Sequence, residues 1–213
     1  MSARNSPESV KSPVIYFIRH GQTEWNAGRR LQGNRDIPLN EAGRGEARRS
    51  GEILRALVAR NGRTPHDLDY VSSPLVRARE TMELIRAALG LDPTAYRTDP
   101  RLAEIGFGTW EGLTLADLKR SAAEQLVLRE QDPWHFEPPG GESYEKLTQR
   151  IADWHGQLVH DTVICSHLNT GRALMVHLGL SPRRVVPRHP IDQSAVYVFD
   201  ANGVTRHGES LPI

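Results

Sequence analysis

Short apolar runs alternate along the chain with stretches of helical periodicity. Val14-Ile15-Tyr16-Phe17-Ile18 is apolar without interruption. That continuity predicts a strand buried on both faces, as in a parallel sheet. After Asn40, a residue suited to an N-cap, Ala47, Gly51, Leu54 and Val58 recur at helical spacing. Asp69-Tyr70-Val71 reads as a second strand. Pro74 opens a second helix, with Ala78, Met82, Ile85 and Leu89 on one face. A third helix is expected from Thr114 to about residue 129, with Leu115, Leu118, Ala122 and Leu126 on its apolar positions. A fourth comes after the Pro138-Pro139-Gly140-Gly141 turn and carries Tyr144, Leu147, Ile151, Trp154 and Leu158. Thr162-Val163-Ile164-Cys165 is another buried strand, and Thr170 is expected to cap a helix running to about His177. Ala195 to Phe199 and the residues from Val204 onward read as two strands joined at Asn202-Gly203, a strong hairpin signal. Strands alternating with helices predict an α/β three-layer sandwich: a mostly parallel central sheet flanked by helices, with an antiparallel edge.

Composition narrows the class. The 213 residues suit one domain, expected over 13–213, behind a flexible tail at 1–12 rich in Ser and charge. Lys and Arg number 27 against 26 Asp and Glu, for a net charge of +1, which excludes a nucleic-acid binder that works by bulk charge. No apolar run approaches a membrane span, and the first residues lack the apolar core of a signal peptide. A single cysteine, Cys165, forbids a disulfide framework and sits in an apolar strand, where it reads as core. The expected setting is cytoplasmic. Of the 27 basic residues only 3 are Lys, so cationic sites here are built from Arg.

Three predicted strands run into polar, chemistry-bearing residues. The first ends in Arg19-His20-Gly21, the second in Ser72-Ser73-Pro74-Leu75-Val76-Arg77, the third in Ser166-His167. Ligands of open α/β sheets bind beyond the carboxyl ends of strands, so two His and two Arg can converge on one crevice. Guanidiniums and helix N-termini would there hold a small, multiply charged oxyanion. Taken singly, each residue has a plainer reading: a His at a strand end is often packed structure, and a lone Arg77 or Glu104 is usually solvated surface. The remaining histidines have no motif around them. Arg183, Arg184 and Arg188 form a basic turn. Trp25 and Trp110 read as part core and part pocket wall.

These segments together resemble the histidine phosphatase superfamily, which includes the cofactor-dependent phosphoglycerate mutases. The resemblance rests on Arg19-His20-Gly21-Gln22-Thr23-Glu24-Trp25-Asn26, Leu31-Gln32-Gly33 and Asp36-Ile37-Pro38-Leu39-Asn40. It continues through Ser73-Pro74-Leu75-Val76-Arg77-Ala78 with Thr81, Leu102-Ala103-Glu104 and Gly108-Thr109-Trp110-Glu111-Gly112. Pro139-Gly140-Gly141-Glu142-Ser143 and Cys165-Ser166-His167 complete it. It spans residue 14 to about 175 and implies a phosphoglycerate mutase-like fold. It further implies that His20 is the nucleophile that becomes phosphohistidine, that Arg19, Arg77 and His167 form the phosphate pocket, and that Glu104 is the proton donor. Asn26, Gln32, Gly33, Leu168 and Asn169 are implied as substrate-binding positions. Many members carry Gly after the second His; Leu168 stands there. It either alters the pocket, if positive φ is needed, or narrows the crevice with its side chain.

The activity that the resemblance implies is phosphomonoester chemistry on a small phosphorylated metabolite, with no cofactor and no metal site. No nucleic acid or membrane partner is expected, and a homodimer is left open. Three readings compete: a phosphatase, a mutase, and a catalytically weak module that binds phosphorylated ligands. Lys119, Arg120 and Arg129 are the basic residues of the stretch between Glu104 and Pro138. Placed on a solvated helix face, they would leave a short, weakly charged cover open to water, which favours the phosphatase.

Overall fold

The computed structural model describes residues 12–185 and 189–208. The tail expected at 1–12, Ser12 excepted, and Arg188 lie outside them. Six strands form one sheet: β1 (Ile15–Arg19), β2 (Asp69–Ser72), β3 (Arg97–Thr98), β4 (Thr162–Ser166), β5 (Val196–Asp200) and β6 (Gly203–His207), in the order β3-β2-β4-β1-β5-β6. β3, β2, β4 and β1 are parallel neighbours, while β5 and β6 add an antiparallel edge. The continuous apolar runs arise from burial on both faces. In β1, Ile15 and Phe17 point into one core and Tyr16 and Ile18 into the other. Each fully buried side chain of this size stabilises the fold by about 1.5–3 kcal/mol.

Helices α2 (Glu41–Arg60) and α3 (Val76–Ala88) cover the face of Tyr16 and Ile18 through Leu54, Val58, Met82 and Ile85. The other face is covered by α4 (Leu115–Ser121), α5 (Ala123–Gln131), α6 (Tyr144–His155) and α7 (Leu168–His177). The fold is therefore α/β with helices on both sides of the sheet. Asn40 caps α2, its side chain accepting the Gly43 N–H at 2.9 Å. A short helix α1 (Glu24–Ala27) is closed by a capping box between Thr23 and Asn26.

Several boundaries differ from those the sequence predicts. The helix expected from Thr114 to residue 129 is two helices, broken at Ala122 (φ −146°, ψ 38°), with Thr114 as N-cap of the first. Nothing local accounts for the break, since no Gly or Pro stands there. Thr170 caps nothing: α7 starts at Leu168 with His167 as N-cap, and the Thr170 hydroxyl donates to Ala103 O at 3.0 Å. α3 begins at Val76, two residues after Pro74. α6 ends at His155, so Leu158 packs from the turn beyond it. The β5–β6 hairpin forms at Asn202-Gly203, with β5 starting at Val196, one residue later than expected.

Candidate active site

Strand order brings the three polar strand ends together. β4 lies between β1 and β2, with Arg19 level with Ser166 and Ser72 level with Cys165. The next residues, His20, Ser73 and His167, therefore meet at one edge. The loop after β1 is pressed onto the start of α2. A Cβ on Gly21 would lie 2.2 Å from Gly43 O, so only glycine lets the His20 turn approach this closely. Gly21 N–H donates to Thr81 Oγ1 at 3.1 Å, which ties the same turn to α3.

His20 is 3% exposed, and its Nδ1 lies 2.7 Å from Gly21 O. A carbonyl only accepts, so Nδ1 carries the proton and Nε2 keeps a lone pair. Burial, then the Arg77 and Arg19 charges, push His20 well below the ordinary imidazole value of 6.5. The ring is thus neutral and nucleophilic around pH 7. His167 faces it with ring centroids 5.1 Å apart, and burial first, then Arg77, lowers its pKa likewise. His167 Nε2 lies 2.7 Å from Ser73 Oγ. In the tautomer in which Ser73 donates to Nε2, Nδ1 of His167 carries the proton and is a donor.

Arg77 is fully buried, and its terminal nitrogens donate to Arg35 O at 2.7 Å and Gly33 O at 2.8 Å. Burial lowers it to about 10, so it stays charged at neutral pH. Gly33 sits at φ 53°, a left-handed conformation that favours glycine, and a Cβ there would fall 2.0 Å from Glu111 Oε1, so the Glu111 side chain would have to move. Arg19 donates to Ile191 O at 2.9 Å, and burial lowers its pKa too. Arg19 Nε, Arg77 Nε and His167 Nδ1 are buried without a hydrogen-bond partner. Unmet buried donors are costly, and three of them around His20 describe a seat for an oxyanion.

Glu104 shares this cavity, which measures about 170 Å³ and is lined also by Asn26, Gln32, Gly33, Leu168 and Asn169. Its carboxylate accepts the Ile105 N–H at 2.9 Å and the Asn169 N–H at 3.5 Å. Burial raises its pKa above the ordinary 4.5, against the pull of those hydrogen bonds and of Arg77. Asn26 Oδ1 is taken up by Thr23 and Gln193, which leaves its amide nitrogen for the cavity. Leu168 is helical, and the non-glycine residues at positive φ among those described are Arg29 and Ser194. Leu168 therefore takes an ordinary helical φ and lines the cavity wall.

Arg129 overturns the expectation of a solvated basic face. It lines the cavity, with its guanidinium 5.9 Å from the Phe107 ring and 5.8 Å from the Trp110 ring, and burial lowers its pKa. The spacing Ala122, Leu126, Arg129 already puts it on the apolar side of α5. Arg172, which no sequence motif singles out, also lines the cavity and donates to Asn169 Oδ1 at 3.1 Å. Its one sequence signal is position, three residues after Asn169 on the same helix. Arg30 completes the wall at an exposed position. Arg150 is a further residue that sequence reasoning misses. It pairs with Glu142 at 2.7 Å and donates to Glu104 O at 3.2 Å, which pins the Glu104 loop. Trp110, 2% exposed, is core, and neither it nor Trp25 lines the cavity. Among the described residues no cluster of three or more His, Cys, Asp or Glu could hold a metal.

Sequence and fold together define a phosphate-handling enzyme class: the chain belongs to the histidine phosphatase superfamily (branch 1), matched over residues 15–211. It is 32% identical over 183 residues to a 2,3-bisphosphoglycerate-dependent phosphoglycerate mutase of Azorhizobium caulinodans, covering 82% of this chain and 86% of that one. Among solved structures, it resembles a mycobacterial glucosyl-3-phosphoglycerate phosphatase in complex with VO3 (TM-score 0.75, 26% identity, 92% of this chain and 96% of that chain). It also resembles TTHB049 from Thermus thermophilus (TM-score 0.70, 29% identity, 92% and 99% coverage).

Arg77→Lys should lower kcat/KM by roughly 10²-fold or more, because one ammonium cannot hold Gly33 O, Arg35 O and an oxyanion together. Steady-state kinetics with p-nitrophenyl phosphate, beside a thermal melt to confirm folding, checks this; a loss under about threefold would contradict it.

Proposed function

We propose that this chain is a phosphomonoester hydrolase that works through a phosphohistidine on His20. The observation that carries the reading is the neutral His20, its Nε2 lone pair free, set among three unpartnered buried donors. Nε2 attacks phosphorus while the bond from phosphorus to the alcohol oxygen breaks. Protonated Glu104 gives its proton to that oxygen, and the alcohol leaves. Water then attacks the phosphohistidine, Glu104 takes up its proton, the N–P bond breaks and phosphate departs. Arg19, Arg77 and His167 stabilise the charge on the transferring oxygens through both steps.

Water as acceptor is supported by the cover. α4 and α5 are short helices, and the cavity reaches solvent at Arg30, an exposed residue of its wall. The mutase reading keeps one specific observation: Arg129 and Arg172 bring extra positive charge into the cavity, as a second phosphate would require. The same two arginines fit a hydrolase substrate that carries a second anionic group beside its phosphate. A small phosphorylated metabolite bearing a carboxylate, of the phosphoglycerate kind, matches that charge.

The deciding experiment supplies 3-phosphoglycerate with a trace of 2,3-bisphosphoglycerate and monitors both products. Free phosphate should outpace 2-phosphoglycerate, and turnover should survive exhaustive EDTA treatment. Fast isomerisation with little phosphate release would establish the mutase. Loss of turnover with chelator, restored by Mg²⁺ or Zn²⁺, would overturn the assignment of transition-state charge to the arginines.

A further inference from the structure

We propose that the cleft between the starts of β2 and β3 and the end of α3 is a second binding site, for a small organic anion. The ligand is a phosphate, phosphonate or carboxylate carried on an apolar or aromatic body. The cleft measures about 400 Å³ and is lined by Tyr70, Arg86, Leu91, Tyr96 and Arg97, with Leu68 and Asp69 beside them. β2 enters this cleft at Asp69 and Tyr70 and leaves toward the His20 cavity at Ser72. The two sites thus lie at opposite ends of the strand, and they share no lining residue.

Arg86 carries the argument. It is only 6% exposed, yet no carboxylate among the described residues forms an ion pair with it. Its guanidinium stacks 4.5 Å from the Tyr70 ring centre, and Nε donates to Asp92 O at 2.8 Å. The carboxyl end of α3 favours a cation here, but offers the two terminal nitrogens no acceptor; neither has a hydrogen-bond partner among the described residues. The terminal nitrogens of Arg86 are not among the buried partnerless atoms, so they reach the solvent of the cleft, where an entering anion replaces water on them. Its fork is shaped for a carboxylate or phosphate edge.

The rest of the wall agrees in sign and shape. Arg97 stands on the neighbouring strand, its side chain 68% exposed, and its partner Asp69 lies 3.3 Å away. Such a surface pair is weak enough to open toward a ligand. The Tyr70 hydroxyl donates to Pro65 O at 2.9 Å and the Tyr96 hydroxyl to Glu83 at 3.0 Å, so both are already engaged. The tyrosines and Leu68, Leu91 and Ala95 add apolar surface to the wall, which suits the body of the ligand.

The test titrates the full-length, ¹⁵N-labelled protein with phenylphosphonate, which is not hydrolysed, and monitors backbone amide shifts. Two sets should move independently: one around His20 and His167, the other at Tyr70, Leu91 and Tyr96. Arg86→Gln should weaken the second set about tenfold or more, and Arg97→Gln should weaken it severalfold, with the first set unchanged in both. Arg97 is exposed, so its variant keeps the proposal testable if Arg86→Gln fails to fold. Methylphosphonate should bind the cleft more weakly than phenylphosphonate. No movement at the cleft in the millimolar range, unchanged affinity in Arg97→Gln, or equal affinity for the two phosphonates would each overturn the proposal.

Discussion

His20→Ala is expected to reduce turnover by on the order of 10⁴–10⁶-fold, the range seen when a covalent nucleophile is removed. The loss should fall on chemistry and not on binding. Arg19, Arg77 and His167 keep their unpartnered donors in the variant, so inorganic phosphate or vanadate should still bind and raise its melting temperature. In the wild type, brief mixing with substrate and then a quench should trap phosphate on His20, in an adduct that is acid-labile and alkali-stable. Peptide mass spectrometry locates it. Phosphate found on Ser72, Ser73 or Ser166 would place the nucleophile elsewhere at the same strand ends.

Glu104→Gln should cost about 10²–10⁴-fold for an alkyl phosphate, whose leaving oxygen needs a proton. The cost should shrink for p-nitrophenyl phosphate, whose leaving group does not. Equal losses for the two would make Glu104 a positioning residue. The pH profile gives a second readout. His20 is pushed well below 6.5, so it remains neutral as pH falls through that value, and its protonation sets an acid limb lower down. Glu104 is raised above 4.5, so it keeps its proton further up the scale, and its loss sets the alkaline limb of kcat/KM. Glu104→Gln cannot lose that proton. The alkaline limb should disappear in the variant while the acid limb stays; an unchanged profile would count against Glu104 as the proton donor.

Much of this site is legible in the sequence because its parts are local. A strand buried on both faces must be apolar throughout, so β1, β2 and β4 stand out, and so do the polar residues at their ends. A helix with one covered face must repeat its apolar positions, so α2, α3 and α6 are visible. β3 is not: its two residues are exposed and show no alternation. The break at Ala122 has no local signal either. Arg129 is misplaced on solvent because an arginine on an apolar face looks like an interruption, until Phe107 and Trp110 are folded beneath it.

The sequence by itself determined the class of fold, the layering of helices on a mostly parallel sheet, and the His, Arg and Glu residues on which phosphate chemistry could rest. These come from periodicities read within a dozen residues and from motifs that keep their order along the chain. Only the tertiary structure decided which charges share a space. The order β2-β4-β1 sets His20, Ser73 and His167 side by side from three distant segments. Packing of α5 and α7 turns Arg129 and Arg172 into the same cavity, and burial drives His20 and Glu104 in opposite directions from their ordinary values. Electric fields and desolvation depend on distances in space, which the spacing of residues along a chain does not contain.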